Sequence, residues 1–275
     1  MKDILVFLFG KSCMVMVKDQ RAHIAHSESW NDYFLFSIKT PQIARGAKPG
    51  QFVMVRVHPH LHPLLRRPFS IHSRLDGNIE IFFQKSGTGT AILAEKKPGE
   101  TLDLLGPCGK GFHLNRKLAG KTAVLVGGGR GIAPLYFLAQ ELASAGASLK
   151  VFYGGKSVHD LCLKEKFEKS SFELFCSTED GTHGARGLVT ELLASELRHI
   201  HPDYLFACGP EAMMGKIARL TAKRRIPAQF SLESIMGCGF GACWGCVRKI
   251  KKNGKAQLVK ICEEGPVFRR EEIVW

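Results

Sequence analysis

The sequence predicts an antiparallel β barrel, then a doubly wound α/β domain, then a small cysteine-bearing excursion at the C-terminus. Three observations predict it. Short β-like runs bounded by Gly and Pro fill residues 20–112. A strand-helix alternation runs from Lys121 to about Ile226. Glycines and cysteines then crowd the tail after Ser231. With 275 residues and 45% hydrophobic content, the chain is long enough to bury more than one core.

Residues 1–17 read as an N-terminal extension or a misassigned start. Its apolar run, Ile4 to Phe9, is broken by Gly10, Lys11 and Ser12, too short for a membrane span and a poor signal peptide. A cytoplasmic protein without a membrane partner is the expectation. The formal charge of +14 suggests a polyanion binder, but the basic residues are spread along the chain. No helix-turn-helix, zinc-finger or base-stacking pattern accompanies them, so nucleic acid is not an expected partner.

The barrel is placed at residues 18–115, on the runs "YFLFSI", "QFVMVRV", "PFSIHS", "IEIFFQ" and "TLDLLGP". Within it, Arg67 precedes Pro68, Phe69 and Ser70. A guanidinium suits a phosphate because its planar fork stays charged and binds two oxygens at once; a proline-interrupted edge strand with a surface arginine would read the same. "SGTGTAILA" sets Gly87, Gly89 and Thr90 ahead of a helical run, where free N–H groups can take up pyrophosphate. His58, His60 and His62 alternate as a metal site would, yet two interleaved prolines and the lack of a nearby carboxylate favour a loop, one expected beside the flavin that the resemblance below implies.

The α/β domain is placed at residues 116–230. "VLVGGGRGIAPL" ends a strand and opens a helix, so Gly127, Gly128, Gly129 and Gly131, with Pro134, would let the backbone approach a dinucleotide pyrophosphate. Ile132 stands where G-x-G-x-x-G would have its third glycine, and an unliganded tight turn is the competing reading. Cys208 in "ACGPEAMM" reads by itself as a small buried residue. Glu179 and Asp180 read as turn residues, and Lys156 and Ser157 stand where a 2′-phosphate would find donors.

The tail, residues 231–275, holds Cys238-x4-Cys243-x2-Cys246 and, after fifteen residues, Cys262. This is the spacing of plant-type 2Fe-2S ligation, and glycines let such a loop turn its N–H groups toward sulfur. Zinc is the competing ligand, although zinc ribbons pair two C-x2-C knuckles. The tail is too short for a complete ferredoxin domain, so it must lean on the other domains or on a partner. Between Val247 and Lys260 lie Arg248, Lys249, Lys251, Lys252, Lys255 and Lys260 and no acid, with Asn253-Gly254 as a hairpin turn. This stretch is a solvated hairpin, a dock for an acidic partner, or a field that offsets the charge of a cluster.

Arg67-Pro68-Phe69-Ser70 resembles the flavin signature of the ferredoxin reductase superfamily, "GPCGKGF" its G-P-x-G-x-x-F turn, "GGGRGIAP" its nicotinamide-side glycine motif, and "ACGPEAMM" its second one. Their order, followed by "SLESIMGCGFGACWGCVRK" and "KICEEGPVF", resembles the electron-transfer subunits of class 1B dihydroorotate dehydrogenases across residues 20–270. The resemblance implies FAD held at Arg67, Pro68, Phe69, Ser70, Phe82, Phe83, Gln84, Gly89 and Thr90. It implies NAD(H) as co-substrate at Gly127, Gly128, Gly129, Gly131, Pro134, Cys208, Gly209 and Pro210. Cys238, Cys243, Cys246 and Cys262 would ligate a 2Fe-2S cluster. Electrons would pass from the FMN of a partner catalytic subunit through the cluster and FAD to NAD+, in pyrimidine biosynthesis, within a heterotetramer of two copies of each chain. No catalytic residue for dihydroorotate is expected here. Phe83-Gln84 departs from the Tyr-Arg that the family commonly has. Two alternatives remain: a subunit of a sulfide dehydrogenase or NADH-dependent ferredoxin:NADP+ oxidoreductase, and a zinc-stabilised nucleic-acid module.

Overall fold

A computed structural model describes residues 3–9, 12–114, 118–170 and 172–275. The barrel strands are β1 (Asp3–Phe9), β2 (Ser12–Trp30), β3 (Tyr33–Lys39), β4 (Phe52–Arg56), β5 (Arg67–Leu75), β6 (Asn78–Gln84) and β7 (Thr101–Cys108). Helices α1 (Pro41–Gly46) and α2 (Thr88–Ala94) are its connections. The order β2-β3-β6-β5-β4-β7, with β7 returning to β2, closes six antiparallel strands, and β1 lies outside against β2. Closure removes the free edges of these six strands. β2 begins inside the segment read as an extension, and Val17 already pairs with Gly106 of β7.

The second domain contains β8 (Thr122–Gly128), α3 (Ala133–Ser144), β9 (Ser148–Gly155), α4 (Lys164–Glu168), β10 (Glu173–Thr178), β11 (Ala185–Arg186), α5 (Val189–Glu196), β12 (Tyr204–Cys208), α6 (Glu211–Lys223) and β13 (Ala228–Ser231). Its parallel order β11-β10-β9-β8-β12-β13 is extended antiparallel by β16 (Val267–Arg269). The central strand β8 is buried from Ala123 to Gly127 because helices cover both faces. Its period of two divides the core: Val124 and Val126 join Leu193, Met214 and Ile217 of α5 and α6, whereas Ala123 and Leu125 join Leu135 and Leu138 of α3. Pro134 sits in the first turn of α3, where a missing N–H costs little.

The cysteine segment does not stand apart. Its hairpin, β14 (Val247–Lys252) and β15 (Lys255–Lys260), is followed by α7 (Ile261–Glu264) and by β16, which lies in the α/β sheet. Ile250, Val259 and Ile261 share a core with Phe52, Met54 and Leu105 of the barrel and with Phe230 of β13. This is the leaning that its length required.

Barrel and α/β domain are joined by a polar seam. Lys166 Nζ reaches Glu80 Oε2 at 2.6 Å, Ser73 Oγ donates to the same oxygen at 2.5 Å, and Tyr33 Oη donates to Asp160 at 2.7 Å. His72 is fully buried beside them, its ring stacked on Tyr136 at 4.8 Å and its Nδ1 against the Ala133 carbonyl at 2.8 Å, while Nε2 has no partner. A neutral imidazole with its proton on Nδ1 satisfies that carbonyl. Burial pushes its pKa from 6.5 down to about 4. An unfolded chain protonates this histidine below 6.5 and the folded one only near 4, so its contribution to stability is lost as pH falls across that window. Between about pH 7 and about pH 5 the loss is about 2 kcal/mol. Urea midpoints at the two pH values should therefore fall further for the wild type than for His72→Gln, which cannot charge. Equal falls would contradict this assignment.

Candidate functional site

Two cavities open where the domains meet. The smaller, about 270 Å³, lies at the barrel end of the seam. Arg67, Pro68, Phe69 and Ser70 from β5, Phe82, Phe83 and Gln84 from β6, and Thr90 of α2 all line it. These residues come together because β5 and β6 are adjacent antiparallel strands whose ends meet α2. Gly89 stands behind Arg67: a Cβ there would lie 2.8 Å from Arg67 Nε, so its lack of a side chain leaves room for the guanidinium. The N–H groups of Ser86 and Gly87 are already paired with Thr90 Oγ1, at 2.9 and 3.1 Å. The hydroxyl of Thr90 thus accepts from two amides of the turn.

The larger cavity, about 650 Å³, lies over the carboxyl ends of β8, β9 and β12, where open α/β sheets bind their ligands. Gly128, Gly129, Gly131, Gly209 and Pro210 line it. A Cβ on Gly131 would stand 2.2 Å from the Cys208 carbonyl oxygen, so the two glycine turns touch only because that atom is missing. Three predicted residues lie elsewhere. Gly127 faces Ile132 and is buried beneath the turn. Pro134 is buried in α3. Cys208 ends β12 in the wall of the smaller cavity, where burial pushes its thiol well up and keeps it neutral.

The cavities adjoin, sharing Gln84, Arg130 and Glu233. Glu233 belongs to the "SLE" tripeptide, and Ser231 and Leu232 line the smaller cavity with it. Composition offered no reason to place that tripeptide at a site, and only its neighbourhood to the cysteine loop marked it. In the larger cavity Lys156, Asp160 and Glu179 are lining residues. Ser157 instead caps its own turn, receiving the His159 N–H, and Asp180 receives the N–H and hydroxyl of Thr182. Burial and the Asp160 hydrogen bond push the Tyr33 phenol up, so it remains a donor at this rim.

Met236 lines the smaller cavity, and Cys238 follows two residues later. Among the described residues no three ligating side chains close on one point. Cys243 lies within hydrogen-bonding reach of Cys238 and Cys262 within reach of Cys246, and Cys238 is near enough to act on Cys262 as well. Four thiols gathered on one loop and its return suit a metal centre, and the C-x4-C-x2-C spacing is that of two irons and not of the paired C-x2-C knuckles of zinc ribbons. Backbone N–H groups aim at sulfur: Gly241 at Cys262 (3.1 Å), Cys262 at Cys246 (3.4 Å) and Gly245 at Cys243 (3.5 Å). Gly239 and Gly241 have φ of +83° and +90°, which lets the loop turn so tightly. The N–H of Gly245 leads the effects that draw the Cys243 thiol down to about 7, while burial pushes Cys262 well up. Cys243 is exposed, Cys238 half-buried, and Cys246 and Cys262 buried. The residues present fit a two-iron cluster with one accessible corner.

His58 and His60 lie on an exposed loop with rings 4.5 Å apart, and His58 Nδ1 faces the His60 N–H at 3.3 Å. They line neither cavity.

Known proteins show the same division. The iron-sulfur cluster binding domain of dihydroorotate dehydrogenase B matches residues 233–274, an oxidoreductase NAD-binding domain residues 125–219, and an oxidoreductase FAD-binding domain residues 19–113. The dihydroorotate dehydrogenase B (NAD(+)) electron transfer subunit of Desulforamulus reducens is 38% identical over 264 residues, 95% of this chain and all of that one. Its counterpart from Bacillus caldolyticus is 42% identical over 229 residues, 82% of this chain and 87% of that one. A chain in the structure of an NADH-dependent reduced ferredoxin-NADP oxidoreductase superposes with a TM-score of 0.80 at 31% identity, over 93% of this chain and 90% of that one. Phthalate dioxygenase reductase, at 17% identity and a TM-score of 0.59, shares the fold over 88% of this chain and 93% of its own.

Proposed function

Since this chain belongs to the family of dihydroorotate dehydrogenase B (NAD(+)) electron transfer subunits, we propose that its four thiols, its smaller cavity and its larger cavity form one path for electrons, in that order. The chain is an oxidoreductase subunit using FAD, a 2Fe-2S cluster and NAD(H), and it delivers electrons to NAD+ in pyrimidine biosynthesis. A catalytic partner oxidises dihydroorotate; in this reading the partner contains FMN and the assembly holds two copies of each chain in the cytoplasm. Among the described residues no helix is long and apolar enough to cross a membrane.

The observation that carries the reading is continuity: the cavities share Gln84, Arg130 and Glu233, and Met236 leads from the smaller one into the thiol loop. When bound, FAD takes up electrons singly and releases them as a pair, and the 2Fe-2S cluster relays them one at a time. The chain's own residues supply position and field. Arg67 holds FAD phosphate, Phe69, Phe82 and Phe83 wall the flavin from water, and Ser70 offers a hydroxyl beside it. Gly128, Gly129, Gly131 and Gly209 clear space for the NAD pyrophosphate. Burial keeps the Cys208 thiol neutral in the wall of the smaller cavity. Cys238, Cys243, Cys246 and Cys262 hold the irons, with the Gly241 and Gly245 amides turned to the sulfurs.

Anaerobic copurification with the dihydroorotate dehydrogenase catalytic chain of the same organism, followed by assay of NADH formed from dihydroorotate, tests the function. Electron exchange with ferredoxin but none with dihydroorotate would instead favour the ferredoxin-NADP oxidoreductase likeness. Arg67→Ala should weaken FAD binding roughly 10- to 100-fold, the worth of one charge-assisted bidentate contact, with only part regained in Arg67→Lys. Flavin titration of the apoprotein reads this, and an unchanged Kd would remove Arg67 from the site.

A further inference from the structure

We propose that the outward face of the β14–β15 hairpin, together with Trp244, is the docking surface for the electron-donating catalytic chain, which meets it with an acidic rim around an apolar centre. This rests on the function proposed above and names the surface through which that partner would be met.

The hairpin is rooted in the thiol site at both ends. β14 starts at Val247, directly after Cys246, and β15 ends at Lys260, two residues before Cys262. The Ile261 N–H donates to the Cys246 carbonyl at 3.1 Å, tying the two roots together. A protein seated on this hairpin is therefore held beside the thiolates.

The strand register divides its side chains into two faces. On the inward face Ile250 and Val259 are buried, Arg248 pairs with Glu211 at 3.0 Å, and Lys252 pairs with Glu264. The outward face sets Lys249 opposite Leu258 and Lys251 opposite Ala256. Leu258 is 63% exposed, and Lys249 and Lys251 are exposed without a carboxylate partner among the described residues. At the root Trp244 is 58% exposed, with φ at +56° and the Lys260 ammonium 5.0 Å from its ring centre. A bulky side chain in the left-handed region is uncommon and strained, yet here it holds an indole in water between two cluster cysteines.

An exposed Trp and an exposed Leu on one face with Lys249 and Lys251 have the composition of a protein interface with an apolar centre and a charged rim. A nucleic-acid surface would keep its cations free. Here Arg248, Lys252 and Lys260 are neutralised by Glu211, Glu264 and Glu263. No acid lies between Val247 and Lys260, so the rim selects an acidic surface.

The test uses the FAD- and cluster-loaded chain and the catalytic chain of the same organism, with affinity measured anaerobically at low and high salt. Lys249→Glu/Lys251→Glu and Leu258→Asp should each weaken association roughly 30-fold, and the double charge reversal should flatten the salt dependence. Lys249→Arg/Lys251→Arg should bind as the wild type does. Visible absorbance and NADH-driven dye reduction, which need no partner, should be unchanged and exclude misfolding. Variants that bind the catalytic chain with wild-type affinity and salt slope would overturn the docking surface while leaving the function standing. Loss of duplex DNA or RNA binding with partner binding intact would replace the proposed occupant. A wild type that exchanges no electrons with the catalytic chain, yet reduces dye, would overturn the function itself.

Discussion

Cys262→Ser, purified without oxygen and paired with the dihydroorotate dehydrogenase catalytic chain, is expected to form almost no NADH from dihydroorotate while still reducing dye from NADH through its flavin. Cys262 is buried, receives the Gly241 N–H at 3.1 Å and pairs with Cys246. A serine hydroxyl is a poor substitute for a thiolate on iron, and its buried site offers no water to complete the shell. Loss of an outer partner of a metal ligand already costs about 10- to 100-fold, so loss of a ligand should exceed that. Iron and sulfide content, visible absorbance and the two activities read the outcome together. Full iron content with undiminished transfer from dihydroorotate would remove Cys262 from the ligand set. Cys108→Ser serves as the control: that thiol is buried against Met16 and Leu105, and burial pushes it up to about 12. Its loss should leave iron content and transfer intact.

Gly131→Ala should produce the second large effect, on the NAD side alone. A methyl group there would sit 2.2 Å from the Cys208 carbonyl oxygen and 2.6 Å from Gly209 Cα, so one of the two turns must retreat by about 1 Å. Overpacking of this kind costs about 1–3 kcal/mol of stability, and a 1 Å displacement at a reacting centre can cost about 100-fold in rate. NADH-driven dye reduction should fall on that order with FAD still bound, since β5, β6 and α2 are untouched. Gly120→Asn is the contrast. Gly120, unlike Gly131, has positive φ, at +73°, but nothing lies within 4 Å of its added Cβ, and Asn tolerates that conformation. It should leave rate and melting temperature near wild type. Equal effects of the two substitutions would rule out crowding between the turns as the cause.

Much of the fold was legible along the chain. β8 read as a buried strand because every residue from Ala123 to Val126 is apolar, and it lies at the centre of a helix-covered sheet. The barrel read correctly because its strands are short and bounded by turn residues. The long strand β2 was missed in part: its alternation is interrupted by Lys18, Asp19, Gln20 and Arg21, where the register with β7 shifts. Among candidate site residues, those on one short stretch of strand came together, as Arg67 to Ser70 of β5 did. Cys208 lines the smaller cavity and its neighbour Gly209 the larger, a division that follows from where the two cavities adjoin and that no local pattern marks.

By itself the sequence determined the domain order, the strand-glycine-helix turn and the thiol spacing, since each follows from short-range chemistry: side-chain periodicity, the freedom of glycine and the reach of neighbouring ligands. Only the tertiary structure decided that Tyr33 would meet Asp160, that Glu233 would stand between two cavities, that the Gly241 N–H would meet the Cys262 sulfur, and that half of the hairpin's cations would be neutralised. Those are contacts between residues far apart along the chain. The closure of the barrel and the stacking of helices on the sheet set them, and no local pattern encodes such distances.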